Sequence, residues 1–485
     1  MTTLVFYCIL YRMNKPIKTI ITFLILSQCV LFAGGTLPFQ SADQTSYVTS
    51  TESKAITSNF NQLELLYRIL DQISLTPLDG NTSLDDMASA LVASIGDEYS
   101  FFVPKDKAQD YQETLSGQFE GIGTYLTKTN PSLKDMKDKE TYMIKVTSPF
   151  PGGPAQRAGL RSGDLISKVD GEAVDDLSAT EASNLIKGKA GTKVNLTVWR
   201  GDNTFTVSIA RELVDTPTVI FDRIHDHIGY LNISQFTSET SDQVKEALDT
   251  LLAEPIDSLV LDLRDNGGGN VQECEKIAGL FLDNKLIMTE KFSEASGRED
   301  KENYSSEGTL VPSSVKMVVL VNGGSASASE ILTSALQDNN RAIVIGSTTF
   351  GKGVEQEVLP FNDGYLQVTI AHYYTASGED IHKKGITPDI VVASTDYTED
   401  QLQAIMDLTN DNVLSDYAKE HPDYTAENIN TFAEENANDL LDTETLSILI
   451  RNQYLYAMDM DERPKYDLTY DKALKRAVSY METGK

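Results

Sequence analysis

The 485-residue chain is poor in cysteine, histidine and basic side chains. It has three cysteines, and only Cys274 lies beyond residue 34. A mature chain that begins near that point can therefore form no internal disulfide. The five histidines are scattered, and neither an HExxH motif nor a Cys/His cluster occurs. We therefore expect no metal and no cofactor.

Basic residues are far outnumbered by acidic ones. The chain has 41 lysines and arginines against 72 aspartates and glutamates, which gives a net charge of −31 at pH 7. A surface this acidic repels nucleic acid and anionic lipid. No nucleic-acid-binding motif occurs in the sequence. We therefore expect no nucleic-acid partner.

Residues 1–34 are predicted to be a signal peptide or an N-terminal anchor. Lys15 and Lys18 precede the apolar run TIITFLILSQCVLFA, which spans residues 19–33. The small residues that follow offer a cleavage point, and the run is short for a membrane span. We therefore expect export to the periplasm or another extracytoplasmic compartment, with a mature chain that begins near Gly34.

Other interpretations of this segment stay open. Residues 19–33 would associate the protein with a membrane if they were retained as an anchor, and the LSQC sequence that ends at Cys29 weakly resembles a lipidation site. Either Met1 or Met13 could be the true start. A single sequence does not distinguish these alternatives.

The rest of the chain divides into four parts. Apolar residues at helical spacing predict helical regions at 44–115 and 394–485. Glycine-rich sequence with short strands predicts a β-domain at 116–214, and alternating strands and helices predict an α/β core with a mixed sheet at 215–393. The sequence SLDDM, which begins at Ser83, has the pattern of a helix N-terminus.

The stretch VNGGSASASEILTSAL, residues 321–336, predicts the end of a buried strand, a turn and a helix. The helix begins near Ser327, and Glu330 stands three positions later, which is the pattern of a capping box. In the alternative interpretation Ser327 is a nucleophile. A hydroxyl at such a junction projects into a site where backbone amides at the helix start can stabilise an oxyanion.

A second stretch, AIVIGSTTFGKGVEQEVLP, carries Lys352 between two glycines. It nearly matches a phosphate-binding loop, but Gly353 stands where serine or threonine should bind magnesium. The residues that follow also predict a strand and not a helix, so nucleotide binding is disfavoured. A lysine in a glycine-lined loop beside Phe350 can instead be buried and neutral, which would make it a general base.

The sequence FEGIGTYL, residues 119–126, predicts a strand with glycines on either side of an aliphatic residue. The amides of Gly121, Ile122 and Gly123 can receive a carboxylate because no side chain is in the way. Together with SPFPGGPAQRAGLRSGDLISKVDGEAV and GTKVNLTVWRG, this region resembles a PDZ domain. PDZ domains bind the C-termini of other proteins by adding the peptide as a strand. The alternative is a small β-domain that acts only as a spacer.

The sequence as a whole resembles the C-terminal processing peptidases, also called tail-specific proteases, which are serine peptidases with a Ser–Lys pair. The resemblance rests on GGSASASEI and TTFGKGVEQ, and it extends over nearly the whole chain. It implies that Ser327 is the nucleophile, that Lys352 is the base, and that Gln356 hydrogen-bonds and orients the lysine. It also implies a PDZ domain inserted before the core.

The sequence LDLRDNGGG, residues 261–269, matches the family's Asp-Leu-Arg-x-Asn-Pro-Gly-Gly loop. The resemblance implies an oxyanion hole formed by the amides of Gly268 and Ala328. Gly267 replaces the usual proline, which leaves open which glycine donates. Lys187 stands where the family often has an arginine. In some members that arginine communicates substrate binding from the PDZ domain to the active site. Whether the two domains are coupled in this way here therefore stays open.

A lysine base must lose its proton near neutral pH, although the free side chain has a pKa of about 10.4. Burial beside Phe350 and the amides of the helix start would both lower the pKa. Gln356 can accept a hydrogen bond without adding a charge, whereas a carboxylate there would raise the pKa.

These features predict an α/β core with an inserted PDZ domain and helical N- and C-terminal regions. The expected function is that of a serine endopeptidase which captures protein or peptide C-termini through its PDZ domain and cleaves by a Ser–Lys mechanism. The alternative is a non-catalytic PDZ-bearing adaptor on an inactive peptidase fold. The sequence does not identify the physiological substrate or show whether that substrate is trimmed or degraded. It also leaves open whether the PDZ domain gates activity and whether the protein forms a homo-oligomer.

Overall fold

The structure is a computed structural model, and it describes residues 50–76, 78–128, 139, 142–393, 397–458 and 462–484. The predicted signal or anchor segment lies outside these residues. Among the helices of the described ranges, none combines the length and the apolar character that a membrane crossing requires.

The described residues alternate between helices and strands along most of the chain. The helices are α1 Ser50–Ile73, α2 Gly80–Ala93, α3 Lys105–Ser116, α4 Pro154–Arg157, α5 Ala179–Ile186, α6 Thr240–Leu252, α7 Val271–Gly279, α8 Ala328–Asp338, α9 Glu399–Asn410, α10 Val413–Glu420, α11 Ala426–Asn436, α12 Thr443–Ala457 and α13 Lys472–Thr483. The strands are β1 Phe101–Val103, β2 Gln118–Gly121, β3 Thr124–Thr127, β4 Ile144–Pro149, β5 Leu165–Val169, β6 Glu172–Ala173, β7 Lys193–Arg200, β8 Asn203–Ala210, β9 Glu212–Asp215, β10 Val219–Ile224, β11 Ile228–Ile233, β12 Ser258–Asp262, β13 Leu286–Phe292, β14 Lys301–Tyr304, β15 Lys316–Val321, β16 Ile343–Gly346, β17 Val354–Phe361, β18 Gly364–Thr375 and β19 Ile390–Val391.

A six-stranded sheet forms the centre of the core, in the order β10-β11-β12-β15-β16-β19. Strands β10 and β11 are antiparallel, and all neighbours from β11 to β19 are parallel. A parallel sheet is covered on both faces, which explains the nearly continuous apolar sequences SLVLD in β12 and KMVVLV in β15. Because the strands are parallel, the loops after β12, β15 and β16 all leave from one edge of the sheet.

Helices cover both faces of this sheet. On one face α6, α7 and α8 contribute Leu248, Ile277 and Leu332 to the largest apolar cluster. On the other face α13 packs through Leu474 and Ala477 against the middle strands. The C-terminal helix is therefore part of the core, whereas α9 to α12 form a separate apolar cluster of their own.

A second, antiparallel sheet lies beside the first. Its order is β1-β18-β13-β14, and β17 also pairs with β18. Strand β1 pairs with the beginning of β18, with Phe101 opposite Gln367. Strand β17 begins directly after the loop that carries Lys352. The segment before β1 and the lysine loop are therefore brought together at this sheet.

The β-domain is inserted between two paired strands. Its sheet has the order β3-β4-β5-β7-β8, with the short β6 paired to β5. The chain enters through β2 and leaves through β9, and these two strands form a separate antiparallel ribbon with Gln118 opposite Asp215. Entry and exit of the domain therefore lie side by side.

The predicted fold class is confirmed: an α/β core with a mixed sheet, an inserted β-domain and helical regions on both sides. The predicted start of one helix is wrong. Helix α2 begins at Gly80, and the amide of Ser83 donates to the carbonyl of Asp79 at 2.9 Å. Ser83 therefore lies in the first turn of α2, because a Ser-x-x-Asp pattern also fits positions inside a helix.

One buried ion pair joins the central sheet to α13. Asp262, at the end of β12, is only 3% exposed and receives two hydrogen bonds from the guanidinium of Arg264, at 2.8 and 2.6 Å. The same guanidinium donates to Asp471, the N-cap residue of α13, at 2.9 Å. The two carboxylates hold the pKa of Arg264 well above its usual range, although burial opposes them. Arg264 therefore fixes the loop after β12 against the C-terminal helix.

Replacing Arg264 should destabilise the core because it leaves the Asp262 carboxylate buried without its partner. We expect Arg264→Ala to lower the free energy of unfolding by about 3 to 5 kcal/mol, measured from the shift of the urea midpoint. Lys245→Ala is the control, because it breaks an exposed pair with Asp249 and should cost at most about 1 kcal/mol. Equal midpoint shifts in the two variants would contradict this account of the loop.

Candidate active site

Three loops from one edge of the central sheet converge on a buried site. The loop after β12 carries Gly268, the turn after β15 leads to Ser327, and the loop after β16 carries Lys352. Ligand sites in such sheets commonly lie outside the carboxyl ends of the strands. The structure therefore brings together residues that are widely separated in the sequence.

Ser327 occupies a sharp turn between β15 and α8. Its backbone has φ 60° and ψ −119°, a strained conformation for a residue with a side chain. The residue is 0% exposed, and its Oγ has no hydrogen-bond partner among the residues that the structure describes. Ser327 and Glu330 have the predicted capping-box arrangement, in which Glu330 accepts the Ser327 amide at 2.8 Å, but Ser327 Oγ accepts no hydrogen bond from the described residues. The hydroxyl is thus left available for another role.

The two neighbouring serines have structural roles. Ser325 Oγ donates to the carbonyl of Leu263, and Ser329 Oγ donates to the carbonyl of Asn266, each at 2.8 Å. Both acceptors lie in the loop after β12. These serines therefore clamp that loop against the turn that holds Ser327.

The carboxylate of Glu330 lies under the site and receives four hydrogen bonds. Its Oε2 accepts the amides of Ser327 and Lys352, each at 2.8 Å. Its Oε1 accepts the Thr349 hydroxyl at 2.6 Å and the Gly351 amide at 2.7 Å. Burial raises the pKa of Glu330, and these hydrogen bonds oppose the increase. One side chain thus holds the backbones of the serine turn and the lysine loop side by side.

Lys352 is 1% exposed, which confirms the prediction that this lysine is buried. The prediction that Phe350 covers it is wrong. Phe350 is 44% exposed. The ring that lies over Lys352 is that of Tyr99, with Nζ 4.9 Å from the ring centroid. Side chains two positions apart in an irregular loop need not share a face, and here Phe350 lies at the surface.

The loop around Lys352 packs closely against residues 382–385. Gly351 has φ +90°, and a Cβ there would lie 2.8 Å from the amide nitrogens of Lys384 and Gly385. The amide of Lys383 donates to the Gly351 carbonyl at 2.7 Å. Only glycine fits at position 351. The close packing against residues 382–385 therefore holds the loop that carries Lys352 in place.

Gln356 is fully buried on β17, and Thr369 of the neighbouring strand fixes its orientation. Its Nε2 donates to Thr369 Oγ1 at 3.1 Å. Its Oε1 has no partner within the described residues, so the predicted hydrogen bond to Lys352 is not formed in this structure. The site therefore contains two buried oxygens without partners, Ser327 Oγ and Gln356 Oε1.

Of the two predicted oxyanion donors, Gly268 lies against the serine. A Cβ on Gly268, which has φ +101°, would lie 2.8 Å from Ser327 Cβ and 2.8 Å from the Ala326 carbonyl oxygen. In this structure the Gly268 amide donates to Asn266 Oδ1 at 2.9 Å. Ala328 is the first residue of α8, where an amide has no acceptor within its own helix.

The predicted peptide-binding residues lie in the inserted domain, away from the buried site. Gly121, Ile122 and Gly123 line a groove of about 170 Å³ between β3 and α5. The Ile122 carbonyl accepts the Ala155 amide at 2.7 Å, and the Gly123 carbonyl accepts the Phe150 amide at 3.0 Å. Both carbonyls are thus used inside the domain. The other lining residues are mixed, and the apolar ones include Phe119, Leu126, Ile144 and Ile186.

Lys187 connects this groove to the rest of the protein. It lines the groove, and its Nζ lies 2.6 Å from an oxygen of Glu113 on α3. Helix α3 follows β1, and β1 follows Tyr99. A single short segment therefore joins the groove to the residue that covers Lys352.

The chain is similar to proteins of a known family. A family model for peptidase family S41 matches residues 227–392, and a PDZ-domain model matches residues 145–200. The chain is 35% identical over 349 residues to the probable CtpA-like serine protease of Staphylococcus aureus (strain COL), a match that covers 71% of this chain and 67% of that protein. It is 34% identical over 348 residues to the carboxy-terminal processing protease CtpA of Bacillus subtilis (strain 168), with 70% and 71% covered. The chain belongs to peptidase family S41.

This S41 peptidase is also similar to a solved structure. The photosystem II D1 C-terminal processing protease shares 28% identity, over 69% of this chain and 92% of that protein, with a TM-score of 0.39. Family membership makes the protein a serine peptidase of the C-terminal processing type, with a PDZ domain and with peptides or proteins as substrates.

Sequence reasoning missed several residues of the candidate site. Glu330 was recognised only as a capping residue, and its contacts with the lysine loop were not foreseen. Thr349 and Thr369 fix Glu330 and Gln356, but threonines have no distinctive pattern. Tyr99 precedes the family-model match at residue 227, and no sequence signal connects it to Lys352.

Glu355 is a buried acid beside Gln356 on β17. It is 2% exposed, and its Oε2 has no partner in the described part of the structure. Burial and the neighbouring carboxylate of Glu290 raise the pKa of Glu355 to about 8, whereas Lys301 opposes them. The folded protein therefore keeps the Glu355 carboxyl group protonated at pH values where this group is ionised in the unfolded protein.

The stability of the protein should accordingly depend on the ionisation of Glu355. Because the folded-state pKa is raised above the value of the free side chain, this group stabilises the fold at low pH, and the contribution is lost as pH rises towards 8. We expect the free energy of unfolding of Glu355→Gln to rise by about 4 kcal/mol relative to that of the natural protein between pH 5 and pH 8.5, measured by urea unfolding. Glu299→Gln, at an exposed position, should follow the natural protein at every pH. A Glu355→Gln profile parallel to the natural one would contradict the assignment.

Proposed function

We propose that this S41 peptidase cleaves peptide bonds by a Ser–Lys mechanism. Ser327 is the nucleophile and Lys352 is the general base. The observation that carries the proposal is the shared hydrogen bonding of Glu330, whose Oε2 accepts the amides of both residues at 2.8 Å. The strained backbone of Ser327 and the complete burial of both side chains support it, because an activated hydroxyl and an uncharged lysine both require shielding from water.

The proposed reaction begins when Lys352 Nζ accepts the proton of Ser327 Oγ as Oγ bonds to the scissile carbonyl carbon. The lysine ammonium then gives this proton to the leaving nitrogen, and the carbon–nitrogen bond breaks. Water then attacks the ester carbon as it loses a proton to Lys352. The lysine ammonium returns this proton to Ser327 Oγ as the ester carbon–oxygen bond breaks, which releases the new C-terminal carboxyl product and regenerates both side chains. No metal or cofactor takes part in these steps.

Two amides are proposed to receive the negative charge on the substrate oxygen. The Ala328 amide lies at the start of α8, where amides without helical acceptors favour an anion. The Gly268 amide is the second donor, and in this mechanism the oxyanion replaces Asn266 Oδ1 as its acceptor. Gln356 Oε1 is proposed to accept a hydrogen bond from Lys352 during turnover and so to orient its Nζ.

We further propose that the groove of the inserted domain captures the C-terminus of the substrate. An added peptide strand would pair with β3, the edge strand of the PDZ sheet. The amides of Gly121, Ile122 and Gly123 would receive the terminal carboxylate, and the apolar lining would receive an apolar last side chain. The apolar run at 19–33 supports export of the protein, so its substrates would lie outside the cytoplasm.

The Ser–Lys mechanism predicts that Lys352→Arg is inactive. Arginine keeps the positive charge but cannot give up its proton. We expect Lys352→Arg and Ser327→Ala each to lose at least about 1,000-fold in cleavage of a disordered protein such as casein, measured by mass spectrometry of the fragments. The rate of the natural protein should rise with pH as the base loses its proton, whereas Lys352→Arg should stay inactive from pH 7 to 10.

Circular dichroism and the unfolding midpoint serve as the controls for these variants. A folded Lys352→Arg that cleaves at a near-natural rate would contradict the Ser–Lys mechanism. If the natural protein itself cleaves nothing but still binds peptides, it is an adaptor and not a peptidase.

Capture of the C-terminus predicts that cleavage depends on the terminal carboxylate. Amidation removes the charge that the three amides receive, so kcat/KM should fall by about 10- to 100-fold for an otherwise identical peptide. Acetylation of the other end is the matched control and should have no effect. Equal cleavage of amidated and free-acid peptides would rule out this mode of capture while leaving the Ser–Lys chemistry intact.

A further inference from the structure

A segment outside the core covers the lysine of the site. Residues 97–100, with the sequence DEYS, come directly before β1. Tyr99 is 7% exposed, and its ring centroid lies 4.9 Å from Lys352 Nζ. This is within the range in which the face of an aromatic ring attracts an ammonium group.

The segment is held in this place by hydrogen bonds to β18. Gln367 Nε2 donates to the Tyr99 carbonyl at 2.8 Å. The Thr369 amide donates to Ser100 Oγ at 3.0 Å, and Ser100 Oγ in turn donates to Asp97. Thr369 also accepts the side-chain amide of Gln356. The segment is thus anchored to the same strand that orients Gln356.

We propose that Tyr99 is a positioning residue of the Ser–Lys centre, whose ring face holds the Lys352 ammonium that forms during turnover. The inference rests on the mechanism proposed above. When Nζ accepts the proton of Ser327 Oγ, a positive charge appears in a buried site. The negative face of the ring stabilises that charge without introducing a second titrating carboxylate.

Other polar groups around Lys352 belong to three further elements. On α8, the Glu330 carboxylate accepts the Lys352 amide. On β18, the Tyr373 hydroxyl donates to the Lys352 carbonyl. From the segment after β18, His382 packs edge-on to Tyr99 with ring centroids 6.4 Å apart, and burial lowers its pKa. Because His382 packs on this ring, Tyr99→Leu also changes the surroundings of His382. The phenylalanine variants at position 99 keep an aromatic ring beside His382 and therefore report on the ring face over Lys352.

The test compares Tyr99→Leu with Tyr99→Phe in the full-length protein, using rate–pH profiles with a disordered protein substrate. Leucine keeps an apolar side chain over the lysine but removes the ring face. Because the ring favours the charged form of the lysine, its loss should move the midpoint of the rising limb to lower pH by about 0.4 to 1.5 units. The plateau of kcat should fall by about 2- to 30-fold because the ammonium formed in the reaction is less stabilised, with KM nearly unchanged.

Phenylalanine keeps the ring face and removes only the hydroxyl, so the midpoint of Tyr99→Phe should stay closer to the natural value than that of Tyr99→Leu, and the difference between the two variants measures the ring. Tyr454→Leu is the control for loss of a buried aromatic ring, since Tyr454 is equally inaccessible but lies in the cluster of α9 to α12. It should leave the midpoint in place. A folded Tyr99→Leu with the natural midpoint would overturn the proposal even if its rate were low, because a purely structural defect lowers the rate alone.

A second series keeps the proposal testable if Tyr99→Leu does not fold. Phenylalanine and its mono-, di- and trifluorinated forms, introduced at position 99, have similar size but progressively weaker ring faces. We expect the midpoint to fall stepwise with fluorination, and a constant midpoint would overturn the proposal. Failure of the Ser–Lys mechanism is recognised separately, because Lys352→Arg would then be active whatever residue stands at position 99.

Discussion

The buried carboxylate of Glu330 holds the two halves of the site together. Four donors from the serine turn and the lysine loop converge on its two oxygens. A carboxylate is costly to bury unless such donors compensate for the lost water. Because one oxygen binds the amides of both Ser327 and Lys352, neither backbone can shift without losing a charge-assisted hydrogen bond. The relative placement of the Ser327 and Lys352 backbones is therefore set by their shared hydrogen bonds to Glu330 and does not depend on a direct bond between the two side chains.

The three serines at the mouth of α8 show how polar groups are divided between structure and reactivity. Ser325 and Ser329 direct their hydroxyls to carbonyls of the loop after β12, which satisfies all of these groups. Ser327 lies between them on a strained backbone, with its hydroxyl buried and without a partner in the described structure. A buried polar atom without a partner costs about 1 to 3 kcal/mol. The fold carries this cost at Ser327 and again at Gln356, where the substrate and the lysine would supply the missing partners.

The sequence predicted those features that depend on local chemistry. Short-range spacing identified the strand, turn and helix around Ser327, the glycine-flanked Lys352 and the strand that carries Gln356, and the structure has each of these elements. The features that it missed depend on tertiary contacts. Tyr99 reaches Lys352 only because β1 pairs with β18, and Phe350, although close in sequence, lies at the surface. The Gly268 amide was identified, but its hydrogen bond to Asn266 depends on a side-chain orientation that spacing does not determine.

The ribbon formed by β2 and β9 determines how the peptidase accommodates a second domain. Gln118 and Asp215 are opposite each other, and their side chains are joined by a hydrogen bond of 2.7 Å. From the viewpoint of the core, the whole inserted domain is the loop of a long β-hairpin whose ends are already closed. The entropy of loop closure depends on the distance between those ends and only weakly on what lies between them. The core can therefore carry an insertion of very different length at this ribbon with little change in its own stability.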